Sequence, residues 1–271
     1  MESLKDKLKE NRLTIGSWIT LAHPAVAEIM ADAGFEWLVV DMEHSVITIR
    51  EAEELIRIIS LKNVTPLVRL TCLDPNQIKR VMDAGAAGVI VPMVKTAEEA
   101  KMAVQAVKYP PEGIRSVGLA RAQGYGTRFD EYAEAVNEKS IVIIQIEHVE
   151  AINNLETILR VDGVDGTIIG PYDLSGSMGK PGRFEEKDVL EKLKEYEDVS
   201  KIFHKSLGYH VVQPDCTSVM GKIKADYTFI AFSVDHLFLG HTIRTGLAEI
   251  RLRIKDKSDA ALMLETKEIK T

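Results

Sequence analysis

Two carboxylates that directly follow apolar runs are the residues of this sequence best placed to do chemistry. Glu147 closes the run at residues 141–146, and Asp173 follows the run at residues 166–170. Both runs have the branched apolar composition of buried parallel strands, where packing gives no reason for a terminal acid. In α/β barrels the catalytic groups gather at the carboxyl ends of the strands. The two carboxylates, about one βα unit apart, could therefore hold a divalent cation.

Such a pair of ligands would leave most coordination positions of the cation open to water and substrate. Mg2+ and Mn2+ prefer six oxygen ligands in an octahedral array, so an α-keto acid could chelate through its carboxylate and carbonyl together. The cation would then act as a Lewis acid that stabilises an enolate. The alternative is that Glu147 and Asp173 are helix caps or salt-bridge partners on solvated loops.

Two cationic or titratable side chains lie near the ends of two further apolar runs, upstream in the chain. His44 follows Asp41 by three residues and could serve as a general base, although a lone histidine is more often structural. Arg69 is a permanently charged donor suited to an enolate or carboxylate oxygen, or a buried partner for Asp41 or Glu43. No lysine ends a candidate strand, which disfavours a Schiff-base aldolase, and no phosphate-binding glycine motif supports nucleotide binding.

Strands and helices alternate along the chain. The predicted strands are residues 13–19, 37–40, 66–70, 88–91, 141–146, 167–169, 207–212 and 227–231. Helical patterns between them include residues 24–33, 49–60, 75–83 and 97–107. Gly34 and Gly85 have the position of glycines that end a helix before a strand. Eight such repeats predict a parallel sheet closed into a (β/α)8 TIM barrel rather than an open doubly wound sheet.

Three segments depart from this regular alternation. Residues 109–128 are too long for an ordinary connection and follow a helix, so they would reach a catalytic face only by folding back or crossing to a neighbour. Residues 171–184 follow a strand and should form a lid or binding loop on the catalytic face. Residues 235–271 look like two helices, one more than a barrel needs, and the surplus helix is expected to pack on a neighbouring subunit.

Bulk properties exclude several classes of protein. The 271 residues fit a single barrel domain spanning the chain, and a net charge of −7 argues against nucleic-acid binding. The charged first ten residues do not fit a signal peptide, and no apolar stretch approaches the roughly 20 residues of a membrane span. Cys72 and Cys216 lack metal-site spacing and are expected to be reduced and structural, which favours a cytoplasmic location.

Seven motifs resemble those of the HpcH/HpaI family of metal-dependent pyruvate aldolases, in order from about residue 13 to 247. They are Gly16-Ser-Trp18, Asp41-Met-Glu-His44, Pro66-Leu-Val-Arg69, Asp83-Ala-Gly-Ala-Ala-Gly-Val-Ile-Val-Pro92-Met, Gly113-Ile-Arg115, Gln145-Ile-Glu147 and Gly170-Pro-Tyr-Asp173-Leu. The resemblance implies a modified barrel of the phosphoenolpyruvate/pyruvate superfamily, with an exchanged extra C-terminal helix. It also implies a homohexamer built as a trimer of dimers.

The resemblance further assigns roles to the charged residues. It implies that Mg2+, Mn2+ or Co2+ binds Glu147 and Asp173, with Gln145 close by. His44 would be the base, acting through water, and Arg69 would polarise the keto oxygen of the substrate.

The resemblance also implies which residues bind the substrate, and it raises a possible catalytic role for Asp83. The backbone of Gly170 and Pro171 would receive the pyruvate carboxylate, and Trp18 and Arg115 would be substrate-binding residues. In the family the aspartate that matches Asp83 works with the histidine as a dyad. Here Asp83 precedes the fourth strand, so it either reaches a neighbouring subunit's site or is structural.

Some positions depart from the usual family pattern. His148 replaces a small residue after the metal-ligand glutamate, Tyr172 stands within the Gly-Pro-x-Asp motif, and the loop around Arg121 differs from that of the aromatic- and sugar-acid aldolases. Near the eighth strand, Ser233-Val-Asp235-His236 replaces a Gly-Ser-Asp pattern. Arg121, His148 and Tyr172 could bind a larger polyhydroxylated or anionic aldehyde, or could serve packing and loop support.

These observations predict a class II aldolase. It would cleave a 4-hydroxy-2-keto acid into pyruvate and an aldehyde, or catalyse the reverse condensation, with small-molecule partners and neither nucleic acid nor membrane. One alternative is a citrate-synthase-like or citryl/malyl-CoA lyase-like enzyme on the same scaffold. A non-catalytic barrel scaffold is a second alternative, which the charges at four strand ends disfavour.

Overall fold

Eight parallel strands close into a barrel in the structure, a computed structural model that describes residues 2–268 and the side-chain surroundings of residues 2–255. The strands are β1 (Thr14–Ile19), β2 (Trp37–Asp41), β3 (Thr65–Arg69), β4 (Gly88–Val91), β5 (Ile141–Ile146), β6 (Gly166–Ile169), β7 (Ser206–Val211) and β8 (Phe229–Val234). Each strand pairs with its neighbour in chain order, and β1 pairs with β8 to close the ring. The predicted TIM barrel is confirmed.

Helices follow the strands in the alternation expected of this fold. They are α1 (Leu4–Lys9), α2 (Pro24–Asp32), α3 (Ile49–Leu61), α4 (Pro75–Asp83), α5 (Ala97–Val107), α6 (Phe129–Lys139), α7 (Val149–Asn153), α8 (Leu155–Leu159), α9 (Pro171–Ser177), α10 (Lys187–Ile202), α11 (Cys216–Lys224) and α12 (Asp235–Glu268). Gly34 and Gly85 have φ values of 94° and 101°, so the left-handed turns predicted at these glycines are present.

An aromatic pair fills the amino-terminal end of the barrel. The Trp37 and Phe229 rings stack with centroids 4.0 Å apart, and the Trp37 indole donates to Thr14 Oγ1 at 3.2 Å. Gly16 leaves the space that the Trp37 ring occupies, because a Cβ there would lie 2.0 Å from the ring. These residues open their strands, so the filled end is opposite the carboxyl ends where a barrel places its chemistry.

The short helix α1 is anchored at this same amino-terminal end. Lys5 Nζ donates to the backbone oxygen of Ser140 at 2.7 Å and to Asp165 Oδ1 at 2.6 Å. The Asp165 carboxylate also accepts from the backbone N–H of Val142 at 2.9 Å. A buried lysine is stable only when its charge is paired and hydrogen-bonded, as it is here. The contacts therefore join α1 to the starts of β5 and β6.

Three details of the sequence prediction are wrong. The eighth strand runs to Val234 rather than to residue 231, because Ser233, a buried residue at φ 52°, is part of it. The C-terminal segment is one helix, since Gly246 weakens but does not break a helix that contains no proline. Cys72 and Cys216, which were expected to be structural, are both exposed.

The chain divides into two units, residues 1–235 and residues 236–271. The first unit contains the barrel, and residues 236–268 of the second belong to the long helix α12. None of the helices in the described part of the chain has the length and apolar composition needed to cross a membrane.

Candidate active site

A cavity of about 370 Å³ opens among the carboxyl ends of the strands and the connections that follow them. Its lining residues are Trp18, His44, Arg69, Gln145, Ile168, Ile169, Gly170, Pro171, Tyr172, Asp173, His210 and Val212. The cavity thus brings together most of the site residues predicted from the sequence. It lies at the end of the barrel where α/β barrels carry their catalytic groups.

Arg69 is fixed in the cavity by a two-point contact with Asp41. Its Nε donates to Asp41 Oδ1 at 2.9 Å, and its Nη2 donates to Oδ2 at 2.5 Å. The third nitrogen, Nη1, lies 3.3 Å from Glu43 Oε2. The guanidinium also lies over the Trp18 ring, 4.3 Å from the centroid. The two interpretations of Arg69 are therefore compatible: it is a partner of Asp41 and Glu43, and it also lines the cavity.

Glu147 lies directly behind the cavity wall formed by Gly170 and Gln145. Its Oε1 accepts from the backbone N–H of Met93 at 2.6 Å, and its Oε2 accepts from the Gln145 amide nitrogen. Gly170 brings the backbone close to this carboxylate, because a Cβ there would lie 2.9 Å from Glu147 Cβ and 3.0 Å from Oε2. Any larger residue at position 170 would displace the acid.

Burial and neighbouring charge perturb two carboxyl groups of the site. Desolvation raises the pKa of Glu43 to about 7; the nearby Arg69 opposes this rise, while Asp41 and Asp173 add to it. Desolvation also raises the pKa of Glu147 to about 7, and repulsion from Glu43 adds to the rise. Carboxyl groups crowded in this way favour a bound cation, because a positive charge would offset both the burial and the repulsion.

His44 and Asp173 line the cavity from its solvent-facing side. The His44 backbone N–H donates to Asp41 Oδ1 at 3.2 Å, which holds the turn after β2, while 63% of its side chain is exposed. Asp173 is exposed in the first turn of α9, three residues after Gly170. Both side chains are accessible to a ligand in the cavity.

Asp83 and Arg115 are not brought to this cavity. Asp83 ends α4, and its Oδ1 accepts from Arg115 Nη2 at 2.5 Å. Arg115 also donates to the Tyr132 hydroxyl at 3.0 Å, and its side chain is fully buried. Because α4 leads into the start of β4, this pair lies at the amino-terminal end of the same barrel. Within one chain the arrangement is that of a structural ion pair.

The two predicted insertions lie at opposite ends of the barrel. Residues 171–184 border the cavity, where the Tyr172 ring meets Phe184 edge-on with centroids 4.6 Å apart. Residues 109–128 stay at the amino-terminal end, where the Ala122 N–H donates to Asp83 O at 3.0 Å. Arg121 in this insertion donates to the backbone oxygen of Ala84 at 2.9 Å, so in this chain it is a packing residue.

Sequence reasoning missed His210 and the backbone N–H of Met93. His210 is the penultimate residue of β7, and a polar residue near a strand end was the signal that could have found it. Met93 adopts φ 54°, a conformation that sequence does not reveal for a methionine. His148, noted as a departure from the family, caps α7 by accepting from the Glu150 N–H at 3.1 Å.

The donor set resembles an open cation site rather than a closed one. No group of three or more His, Cys, Asp or Glu side chains arranged to hold a metal occurs in the described part of the chain. Two carboxylates, Glu147 and Asp173, would leave the remaining positions to water and substrate, which is typical of Mg2+ sites. The buried Oε1 of Gln145 has no hydrogen-bond partner among the described residues and is a further oxygen donor beside Glu147.

Comparison with known proteins identifies the family. The model of the HpcH/HpaI aldolase/citrate lyase family matches residues 14–239. A 4-hydroxy-2-oxo-heptane-1,7-dioate aldolase from Salmonella typhimurium is 44% identical over 189 residues, which are 69% of this chain and 72% of that relative. A solved family member from Burkholderia cenocepacia J2315 is 30% identical with a TM-score of 0.87, over 92% of this chain and 98% of that chain.

The scaffold is also shared with a different reaction class. The solved citrate synthase SbnG is 26% identical with a TM-score of 0.82, over 93% of this chain and 98% of that chain. The matching family model and the curated aldolases confirm the predicted family and the predicted carbon–carbon lyase class. The chain belongs to the HpcH/HpaI aldolase/citrate lyase family.

Proposed function

We propose that this protein is a metal-dependent aldolase that interconverts a 4-hydroxy-2-keto acid with pyruvate and an aldehyde. The observation that carries the proposal is the convergence of Arg69, Gln145, His44 and Asp173 on one cavity, with Glu147 directly behind Gly170. This set contains a fixed cation for a developing enolate, a candidate base and two carboxylates for a metal ion. A binding scaffold would not need that combination.

A divalent cation fits the residues that would hold it. Glu147 and Asp173 would be its protein ligands, and Mg2+, Mn2+ or Co2+ would suit these oxygen donors. The Oε1 of Gln145, which has no hydrogen-bond partner in the described part of the chain, and the repulsion between Glu43 and Glu147 support a positive charge at this place. When bound, the ion would supply Lewis-acid polarisation of the substrate's keto group.

The chain's own side chains would bind the keto acid and move its protons. The first turn of α9 would receive the carboxylate of the keto acid through the backbone N–H groups of Tyr172 and Asp173, because Pro171 has no N–H and the Gly170 N–H donates to the backbone oxygen of Ile146 at 2.9 Å. His44, acting through water, would remove the proton of the C4 hydroxyl as the C3–C4 bond breaks. Arg69 would hold the negative charge that develops on the keto oxygen, since Asp41 fixes its orientation. Water near His44 would then return a proton to C3.

We also propose that copies of the chain assemble through α12, in a hexamer of the type that the family resemblance implies. The helix exposes a stripe of apolar residues at positions 239, 243, 247, 250 and 254. Their spacing of three and four residues places them along one side of the helix. An apolar stripe of this length is typical of an interface between helices.

Exchange of the pyruvate methyl protons in D2O tests the proposed function without knowledge of the aldehyde. We expect loss of the methyl proton signal in NMR spectra with Mg2+ or Mn2+, and no loss with EDTA. Exchange would show that the protein forms the pyruvate enolate. Failure to exchange with either metal would contradict the aldolase proposal and would favour a citrate-lyase-like reaction on acyl-CoA substrates.

A further inference from the structure

The two proposed metal ligands come from different elements of the barrel. Glu147 directly follows β5, and Asp173 lies in α9, three residues after Gly170. The sheet holds β5 and β6 side by side: Ile146 pairs with Ile169, and the Gly170 N–H donates to Ile146 O at 2.9 Å. Beyond Gly170 both segments leave the sheet, so strand pairing no longer fixes the position of Asp173 relative to Glu147.

One serine hydroxyl joins the two segments beyond the sheet. Ser177, the last residue of α9, accepts at Oγ from the Val149 backbone N–H at 3.0 Å. The same hydroxyl donates to the backbone oxygen of Leu174 at 2.7 Å. Val149 lies two residues after Glu147. Leu174 directly follows Asp173, so this hydroxyl bridges the segments beside both carboxylates.

Both hydrogen bonds of Ser177 have a local cause. Val149 is the first residue of α7, and the first N–H groups of a helix have no partner within the helix. The His148 side chain accepts from the Glu150 N–H, which leaves the Val149 N–H for Ser177. A serine in a helix can donate to a backbone oxygen of the preceding turn and still accept from another donor.

The helix that carries Asp173 is therefore fixed at both ends. Gly170 ties its start to the end of β5, and Ser177 ties its last residue to the start of α7. Between them the fully buried Leu174 side chain fixes which face of α9 packs against the barrel. Asp173 borders the cavity from this helix. Its orientation is thus set by the protein before any ligand binds.

We infer that Ser177 is a positioning residue of the proposed metal site, which sets the separation between Glu147 and Asp173. The inference rests on the proposed function and deepens it, because it names a residue on which cation affinity depends although it is not a ligand. Groups that orient metal ligands matter almost as much as the ligands, and their loss typically weakens metal binding by about 10- to 100-fold.

A second serine of α9 makes the same pattern of hydrogen bonds with a different partner. The Ser175 hydroxyl donates to Tyr172 O at 2.8 Å and accepts from the Gly182 N–H at 3.0 Å. Gly182 belongs to the connection at residues 171–184 and not to the segment after Glu147. Removing the Ser175 hydroxyl therefore deletes two bonds of the same kind from the same helix and leaves the link to α7 intact.

The dissociation constant of Mn2+, measured on the full chain from the EPR signal of the free ion, tests the inference. We expect Ser177→Ala to raise this Kd by about tenfold, and Ser177→Thr, which keeps a hydroxyl able to make both bonds, to stay within about threefold of wild type. Ser175→Ala is the matched control. It should lower the Tm of the metal-free protein about as much as Ser177→Ala does, with the wild-type Kd for Mn2+.

The same bond can be removed from its other side. Val149→Pro has no N–H, and proline is tolerated at the first position of a helix. His148 before it has an extended backbone, with φ −135° and ψ 144°, which suits a residue that precedes proline. We expect a loss of Mn2+ affinity at least as large as in Ser177→Ala, because the proline ring takes the place of the N–H that faces the hydroxyl.

The outcomes separate this inference from the proposed function. An unchanged Kd in both Ser177→Ala and Val149→Pro, or an equal loss of affinity in Ser177→Ala and Ser175→Ala, would overturn the inference. If the wild type still bound Mn2+ and exchanged the pyruvate protons, the aldolase proposal would stand. Absence of both Mn2+ binding and exchange in the wild type would refute the proposed function, and the inference would fall with it.

Discussion

At the scale of single residues, the site depends on side chains whose orientation is fixed by a second side chain. Asp41 holds Arg69 at two nitrogens, and the Trp18 ring supports the guanidinium plane. Because the five N–H groups of arginine point in fixed directions, this contact determines which ones remain for a substrate. Gly170 has a similar supporting role, since its missing side chain lets the backbone approach Glu147.

The two proposed metal ligands belong to this scale and can be tested without an activity assay. We expect Mn2+ to raise the Tm of the wild-type protein, because a ligand that binds only the folded state stabilises it. Glu147→Gln and Asp173→Asn should each abolish most of this shift and reduce pyruvate exchange by roughly a thousandfold or more. Glu150→Gln removes a nearby acid outside the cavity and should behave as wild type. A normal Mn2+ shift in Asp173→Asn would exclude that residue as a ligand.

His210 makes stability depend on pH in a defined window. Desolvation, with the nearby Arg69 charge adding to it, lowers the pKa of His210 in the folded protein to about 4. This value lies below the unfolded value of about 6.5, so the unfolded chain binds the proton first as pH falls. The contribution of the neutral His210 ring to the free energy of unfolding is fully present above pH 6.5. It is lost as the pH falls from 6.5 towards 4. At pH 5 the loss should be roughly 1–2 kcal/mol.

Urea unfolding of wild type and His210→Asn at pH 7.5, 6 and 5 measures this effect. Other groups contribute equally to both proteins, so the difference in the free energy of unfolding isolates His210. We expect the wild type to lose more stability than the variant over this range. Parallel pH profiles would show that the ring becomes protonated within the folded protein.

At the scale of elements, the sequence predicted the barrel, and most of the residues it proposed for a site line one cavity. Apolar runs located every strand, and a polar residue at the end of a run located Arg69 and Glu147. The prediction failed where the backbone or a buried polar residue decides the structure, as with Ser233 in β8 and the Met93 N–H on Glu147. A hydrophobic pattern carries no information on such contacts, because they depend on packing between distant segments.

Asp83 shows how the position of an element changes the interpretation of a motif. It ends α4 and pairs with the buried Arg115, so the same residue could have a structural role here and a catalytic one in a neighbour. We expect Asp83→Asn to cost about 2–3 kcal/mol in the free energy of unfolding, because Arg115 would lose its counter-charge.

Turnover of the folded Asp83→Asn protein distinguishes the two roles. A structural role predicts pyruvate exchange within a few-fold of wild type under conditions where the variant is fully folded. A loss of a hundredfold or more with unchanged stability would instead assign Asp83 to the site of a neighbouring subunit. The control is Glu112→Gln, which removes an exposed acid of the insertion at residues 109–128, the segment that carries Arg115.

At the scale of the whole molecule, assembly is expected to depend on the exposed stripe of α12. A charge placed in an apolar interface is strongly unfavourable, whereas on a solvated helix it costs little. We expect Ile243→Glu combined with Leu247→Glu to reduce the mass of the particle in light scattering, while Arg251→Glu, a charge change outside the stripe, should not. An unchanged mass in the double variant, or an intact oligomer after truncation at about Arg251, would refute the role of α12.

The anchoring of α1 has a consequence for the order in which the molecule can fold during synthesis. Lys5 leaves the ribosome well before Ser140 and Asp165, the two groups that neutralise and hydrogen-bond its ammonium. Until β5 and β6 have been made, α1 has no surface on which to bury that charge, and six residues are too few to remain helical alone. The earliest helix of the chain therefore docks late, after most of the barrel it secures has been translated.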